Sequence, residues 1–345
     1  MLYTSNNRMQ FIDIFKALAI FLVVLGHLPA PLRSLTVTQW IYSFHMPAFF
    51  AVYGMTYNLN RHAVNGWLNG SFLKRKVKRL LVPCFAWGLV YASFSIKNLA
   101  YVAYGSQASF IRASSLSSLW FLTCMFLTVC IFELLMCLLF KLEASKVQWI
   151  IMIAIAIILF IVGASLPRTD IGFPWCVDIM PVGVGFVIVG YGIKTIILRL
   201  SYLKEEQTSA WLIIFLISVA ITFLYIPNLT FVSGNNVDMA SRRFGNMALY
   251  VLTAIGGIVM LTALSVLLAK IKGINRIAVL GVYSMPVFLL HKFPIVAVSS
   301  YLVGMGYTSC WLGLLIVVLI IILCYFVSRI LEVFAPNLIG LDIQL

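Results

Sequence analysis

Three of the four histidines, His27, His45 and His291, lie inside long apolar runs. Imidazole is the side chain best suited to proton transfer near neutral pH. A titratable group in a membrane-spanning helix is costly, so such residues are rare and tend to mark function. Two plainer readings stand beside that one. Each ring can bond a neighbouring backbone or hydroxyl group, or the three can share a zinc ion. No pair shares a helix at ligand spacing, and no metal is expected.

The first run, FIDIFKALAIFLVVLGHLPAP from Phe11 to Pro31, also carries Asp13 and Lys16. At about 100° per residue, the steps from Lys16 to His27 make three turns plus roughly 20°, so both lie on one face. Asp13 falls about 60° away, close enough to pair with Lys16. Helix rise separates Lys16 and His27 by about 16 Å. One face therefore presents an ion pair at one end and an imidazole toward the other. Asp170 and Asp178 are the carboxylates considered as orienting partners for His27.

A second cluster is FLKRKVKRLLVP, with Lys74, Arg75, Lys76, Lys78 and Arg79 within six positions. It reads either as an anchor on anionic lipid heads or as a cradle for a phosphorylated ligand. Trp120 and Phe121 read as an interfacial belt. Glu133 is a costly carboxylate in a span, paired with a basic residue that the sequence does not identify. The polar stretch from Pro227 to Met247 suits a hydroxyl-rich ligand as well as it suits plain solvation.

Long apolar elements must carry these groups. The 345 residues are 63% hydrophobic and 10% charged, with mean hydropathy +1.06. That excludes a soluble globular domain and implies an all-α, polytopic membrane helix bundle folded as a single domain, residues 1–345. Ten spans are expected, near 11–31, 37–57, 79–96, 118–140, 147–166, 176–197, 210–226, 248–269, 277–299 and 311–331. The first is a retained span rather than a cleaved signal peptide. With the N-terminus inside, sixteen Lys and Arg fall on the inner side and six on the outer, so both termini are expected in the cytoplasm. On this topology the three histidines fall in the outer half of the bilayer, and the basic run faces inward. Net charge +14 then reflects inner loops, not a nucleic-acid partner. The seven cysteines read as packing. Gly183, Gly185, Gly190 and Gly192 permit close helix packing, within one chain or in a homo-oligomer.

These segments together resemble the membrane-bound acyltransferase family 3, and within it the fucose 4-O-acetylase-like branch. "FIDIFKALAIFLVVLGH" is similar to the family's opening, with Lys16 and His27 in its basic-x10-His motif. "IYSFHMPAFFAVYGM", "FLKRKVKRLLVP", "SLWFLTCMF" and "SMPVFLLHKFPI" resemble later motifs, so the likeness runs from Asp13 to about Ile295. Two positions depart from the pattern. Tyr53, Gly54 and Met55 stand where Ser-Gly-Phe is frequent, and Lys16 stands where Arg is frequent.

The resemblance implies transfer of an acetyl group from acetyl-CoA, the acyl-donor substrate, to a hydroxyl of a cell-surface or lipid-linked glycan. It implies a multi-pass protein of the bacterial cytoplasmic (inner) membrane. His27 would act as general base, or carry the acyl group covalently, with His45 and His291 orienting the acceptor or passing protons. Asp13, Lys16, Lys74, Arg75 and Arg79 would bind the donor, its pantetheine arm passing Ile20 and Val24 toward His27. The rival class is a transporter or flippase for a lipid-linked sugar, whose spanning charges line a pathway.

Overall fold

The computed structural model describes residues 9–58, 70–92, 95–114, 117–139, 145–201 and 208–341. Among these the chain is helical, with an isolated bridge between Asp238 and Arg243. Arg8, Arg61, Lys141 and Lys204, which entered the charge count, lie outside the described residues.

Six helices of the described residues are long and apolar enough to cross a bilayer. They are Trp120–Leu139, Lys146–Ser165, Pro174–Leu198, Thr208–Leu229, Met247–Leu268 and Cys310–Phe334. Their outer faces are apolar. Ile150, Ile153, Ile157 and Ile161 on one, and Leu315, Val318, Ile322 and Phe326 on another, are all exposed. Such stripes suit contact with lipid chains. Ser284–Leu290 and Lys292–Gly304 are apolar enough to cross only if taken together, and they are bent by 43°, as in a broken span or a re-entrant loop.

The other expected spans differ from continuous helices, and prolines supply a reason. Gln10–Gly26 has 17 residues, about 26 Å of helix against a hydrocarbon core of about 30 Å. Pro29 and Pro31 follow it and favour an extended chain before each ring. The second span is split into Leu35–Tyr42 and His45–Thr56; Pro47 lacks the N–H that would bond the Ser43 carbonyl. The third starts earlier than expected, as Gly70–Lys76, then opens into a wide turn over Val77–Leu81 before Val82–Tyr91. Pro83 leaves the Arg79 carbonyl without its helical donor there. The ninth breaks at Tyr283 and again at His291, where Pro286 and Pro294 leave the Val282 and Leu290 carbonyls unserved.

The chain packs as two compact units. The first comprises residues 1–49, 196–238 and 243–334. At its centre is Gln10–Gly26, packed by Asn275–Val282, Met247–Leu268, Ser284–Leu290 and Cys310–Phe334. Phe11, Ile14, Phe15, Ala19, Ile20, Val23 and Val24 of the central helix are fully buried. Gly281 lets a neighbour reach it closely, because a methyl group there would overlap the Asp13 carbonyl.

The second unit comprises residues 50–195, 239–242 and 335–345. Within it, Gly54 faces the backbone of Val187, and Gly190 that of Ala51, so two helices meet without side chains between them. The glycine stripe expected to mediate packing is thus used inside the chain.

Candidate active site

His27 caps Gln10–Gly26. Its N–H still bonds the Val23 and Val24 carbonyls at 3.1 and 3.2 Å, so it completes the last turn before the chain leaves for Pro29. His291 stands at the bend between Ser284–Leu290 and Lys292–Gly304. The fold brings the two rings together: His291 Nε2 lies 3.1 Å from His27 Nδ1, with ring centroids 5.0 Å apart.

The remaining contacts assign the protons. His291 Nδ1 lies 2.8 Å from the Phe288 carbonyl and 3.1 Å from that of Val287. Carbonyl oxygens only accept, so this nitrogen carries the hydrogen of the neutral ring. His291 Nε2 is then an acceptor, and the donor in the 3.1 Å contact is His27 Nδ1–H. His27 Nε2 keeps its lone pair and has no hydrogen bond among the described residues. His291 is fully buried, whereas His27 is half-buried. The ring that a substrate can reach is the one whose outer nitrogen is basic, and the ring behind it sets its tautomer. The orienting partner of His27 is therefore an imidazole. Asp178 instead sits 3.7 Å from Arg242, and the Asp170 carbonyl accepts from Arg112.

His45 is buried, and its Nδ1 bonds the Ile41 carbonyl at 2.9 Å. That is the plain backbone reading. It still belongs to the same neighbourhood: it lies within electrostatic range of His27, and its ring is 4.8 Å from that of Tyr42. The Tyr42 hydroxyl donates to the Gly26 carbonyl at 3.4 Å. The polar stretch from Pro227 to Met247 approaches here too, with Gln39 donating to the Asn235 carbonyl and Asp238 within range of Tyr42. Among the described residues, no three His, Cys, Asp or Glu side chains converge as metal ligands.

At the other end of the helix, Lys16 Nζ lies 3.5 Å from Asp13 Oδ1, the expected i,i+3 pair. The path between the ends differs from expectation. Ile20 and Val24 are fully buried; Leu18, Phe21 and Leu22 are the partly accessible residues between Lys16 and His27. In the second unit Lys74, Arg75, Lys78 and Arg79 are exposed, while Lys76 folds over the Tyr53 ring at 4.5 Å. Lys76 and Arg75 act electrostatically on Glu133, which also meets Tyr57. Lys76 and Arg75 are thus the basic residues within electrostatic range of Glu133.

Residues 9–332 match the model of acyltransferase family 3, described as an acyltransferase domain. The chain belongs to this family. Among curated proteins nothing matches. The match covers both units, and this acyltransferase is a multi-pass membrane protein.

Sequence reasoning did not single out Tyr42, nor Lys292, which lies within electrostatic range of His27. It also passed over a usable signal in the acyltransferase: each spanning histidine precedes a proline by two or three residues, as His27–Pro29, His45–Pro47 and His291–Pro294. Proline interrupts helix hydrogen bonding, so a histidine just before one sits at a break.

Proposed function

We propose that this acyltransferase is an O-acetyltransferase of the fucose 4-O-acetylase-like branch. It moves an acetyl group from cytoplasmic acetyl-CoA to a hydroxyl of an extracytoplasmic glycan, across the bacterial inner membrane. The observation that carries the reading is the His27–His291 contact, 3.1 Å between ring nitrogens.

His27 Nε2 takes the acceptor's hydroxyl proton while that oxygen attacks the thioester carbonyl carbon. The C–O bond forms, the C–S bond breaks, and the proton passes from His27 to the departing sulfur. The products are the O-acetyl sugar and free CoA. When His27 is briefly an imidazolium, its Nδ1–H bond to His291 Nε2 becomes charge-assisted and strengthens. His291 thus does with a neutral ring what a carboxylate does in other base–orienter pairs. His45 positions Tyr42. Lys16, held by Asp13 in the first unit, is one cation available to the donor's phosphates, and exposed Lys74, Arg75 and Arg79 are the cations that the second unit offers.

The test is release of CoA and transfer of label from radiolabelled acetyl-CoA by purified protein in detergent. His27→Ala should lower transfer by about 10²- to 10⁴-fold, the usual range for a general base, with membrane insertion intact. Wild-type-like product from that variant sinks the assignment. Replacing Lys74, Arg75 and Arg79 together should raise the KM for acetyl-CoA about tenfold. An unchanged donor dependence returns those residues to lipid anchoring.

A further inference from the structure

Arg33 emerges from the short turn Ala30–Leu32, six residues after His27. That turn is fixed from behind, because Gly313 of Cys310–Phe334 lies against the Leu32 carbonyl with no room for a methyl group. The Arg33 Nε and Nη1 atoms are buried and have no hydrogen-bond partner. Buried guanidinium nitrogens without an acceptor cost stability, although the Arg33 side chain as a whole is only partly buried. Lys292 follows His291 directly and is partly buried. It lies within electrostatic range of His27, His291 and Arg33. Neither the Arg33 nor the Lys292 side chain has an ion pair or hydrogen bond among the described residues. The nearby carboxylate of Asp238 is 3.5 Å from Arg243.

An arginine serving the fold looks different. In the second unit Arg242 donates to the carbonyls of Pro167, Gly163 and Leu166 at 2.6, 2.8 and 2.6 Å, and faces Asp178. It ties off the end of the helix Ser145–Ser165. Arg33 has no such acceptors. It lies within electrostatic range of a second cation, Lys292, which is itself within range of both rings that would activate an acceptor hydroxyl. Two adjacent like charges repel, and an oxyanion between them would supply what both lack.

We infer that Arg33 and Lys292 form an oxyanion subsite beside His27, so that the acceptor is an anionic glycan bearing a carboxylate or a phosphate ester. This deepens the acetyltransferase reading and rests on it for the word acceptor, but its binding chemistry stands on the two cations alone. The anion anchors one part of the acceptor, and His27 meets a neighbouring hydroxyl. A neutral sugar of the same size would leave both cations unpaired.

Calorimetric titration of the purified full chain, without acetyl-CoA, separates the two ideas. The probes are an oligogalacturonate, a glycerol-phosphate oligomer and a neutral maltooligosaccharide. At least one charged probe should bind tenfold or more tightly than the neutral one, and added salt should weaken it. Preference for the first charged probe assigns a uronate-type acceptor, preference for the second a phosphodiester, and equal preference a general oxyanion site. Arg33→Gln combined with Lys292→Gln should erase the preference, while Arg33→Lys should keep most of it. Equal binding of charged and neutral probes, or a preference that survives the double substitution, overturns the proposal. A charged-probe preference with no CoA release would instead overturn the acetyltransferase reading.

Discussion

His45 and His291 are held by the same local device. Each stands at a break in a helix, shortly before a proline, and each directs Nδ1 at the carbonyl four residues earlier, of Ile41 and Val287. Both are buried. Both are therefore locked in one tautomer, with Nε2 as the acceptor. The difference lies in what meets that nitrogen. His291 Nε2 receives the Nδ1–H of His27; His45 lies beside Tyr42 and makes no such bond to an imidazole among the described residues. Local chemistry prepares two rings equally, and a tertiary contact joins only one of them to His27, the base of the proposed reaction. The backbone bond satisfies a histidine without deciding whether it has a catalytic role.

The comparison can be broken most directly with asparagine, whose amide can replace the Nδ1–H bond to a carbonyl but not the remote Nε2 acceptor. His291→Asn should lower kcat by about 10²-fold with little change in either KM, at the low end of general-base effects. An accompanying rise in KM of the same size would mean that His291 binds substrate instead. Pro294→Ala is expected to have an intermediate effect. It returns a donor to the Leu290 carbonyl and removes the cause of the 43° bend, so His291 is presented less well. Turnover should fall about tenfold, the scale of a misplacement short of 1 Å. Wild-type turnover from Pro294→Ala would show that packing alone sets the bend. The smallest effect belongs to His45→Asn, which should cost less than about threefold, within the range of a positioning contact worth under 1 kcal/mol. If it lowered kcat as far as His291→Asn, the distinction between the two rings would be lost.

Arg33 and Arg242 repeat the lesson for cations. Both fall on outer connections in the sequence, and nothing in their neighbours separates them. Arg242 gives both Nη atoms to carbonyls and leaves only Nε without an acceptor; Arg33 leaves Nε and Nη1 without one among the described residues. Only folded surroundings reveal which of the two is available to a ligand. The basic run shows the same split at close range, since Lys76 turns onto Tyr53 and Phe72 while its neighbours stay exposed.

The sequence by itself determined the all-helical membrane class, because apolar run length and composition are properties of the chain alone. It also determined the Asp13–Lys16 pair, since residues three apart on a helix are neighbours whatever surrounds them. It marked His27 and His291 as candidates, because a titratable group in an apolar run needs a reason to be there. It did not locate the helix breaks at Ser43–Phe44, Tyr283 and His291, although the prolines that cause them were visible. Tertiary structure alone decided the rest. The His27–His291 bond joins positions 264 residues apart, and helical periodicity has no reach beyond its own helix. It depends on Ser284–Leu290 packing against Gln10–Gly26 and on a proline bend aiming one ring at the other. The Ala30–Leu32 turn from which Arg33 projects likewise meets a distant glycine, Gly313, at the Leu32 carbonyl.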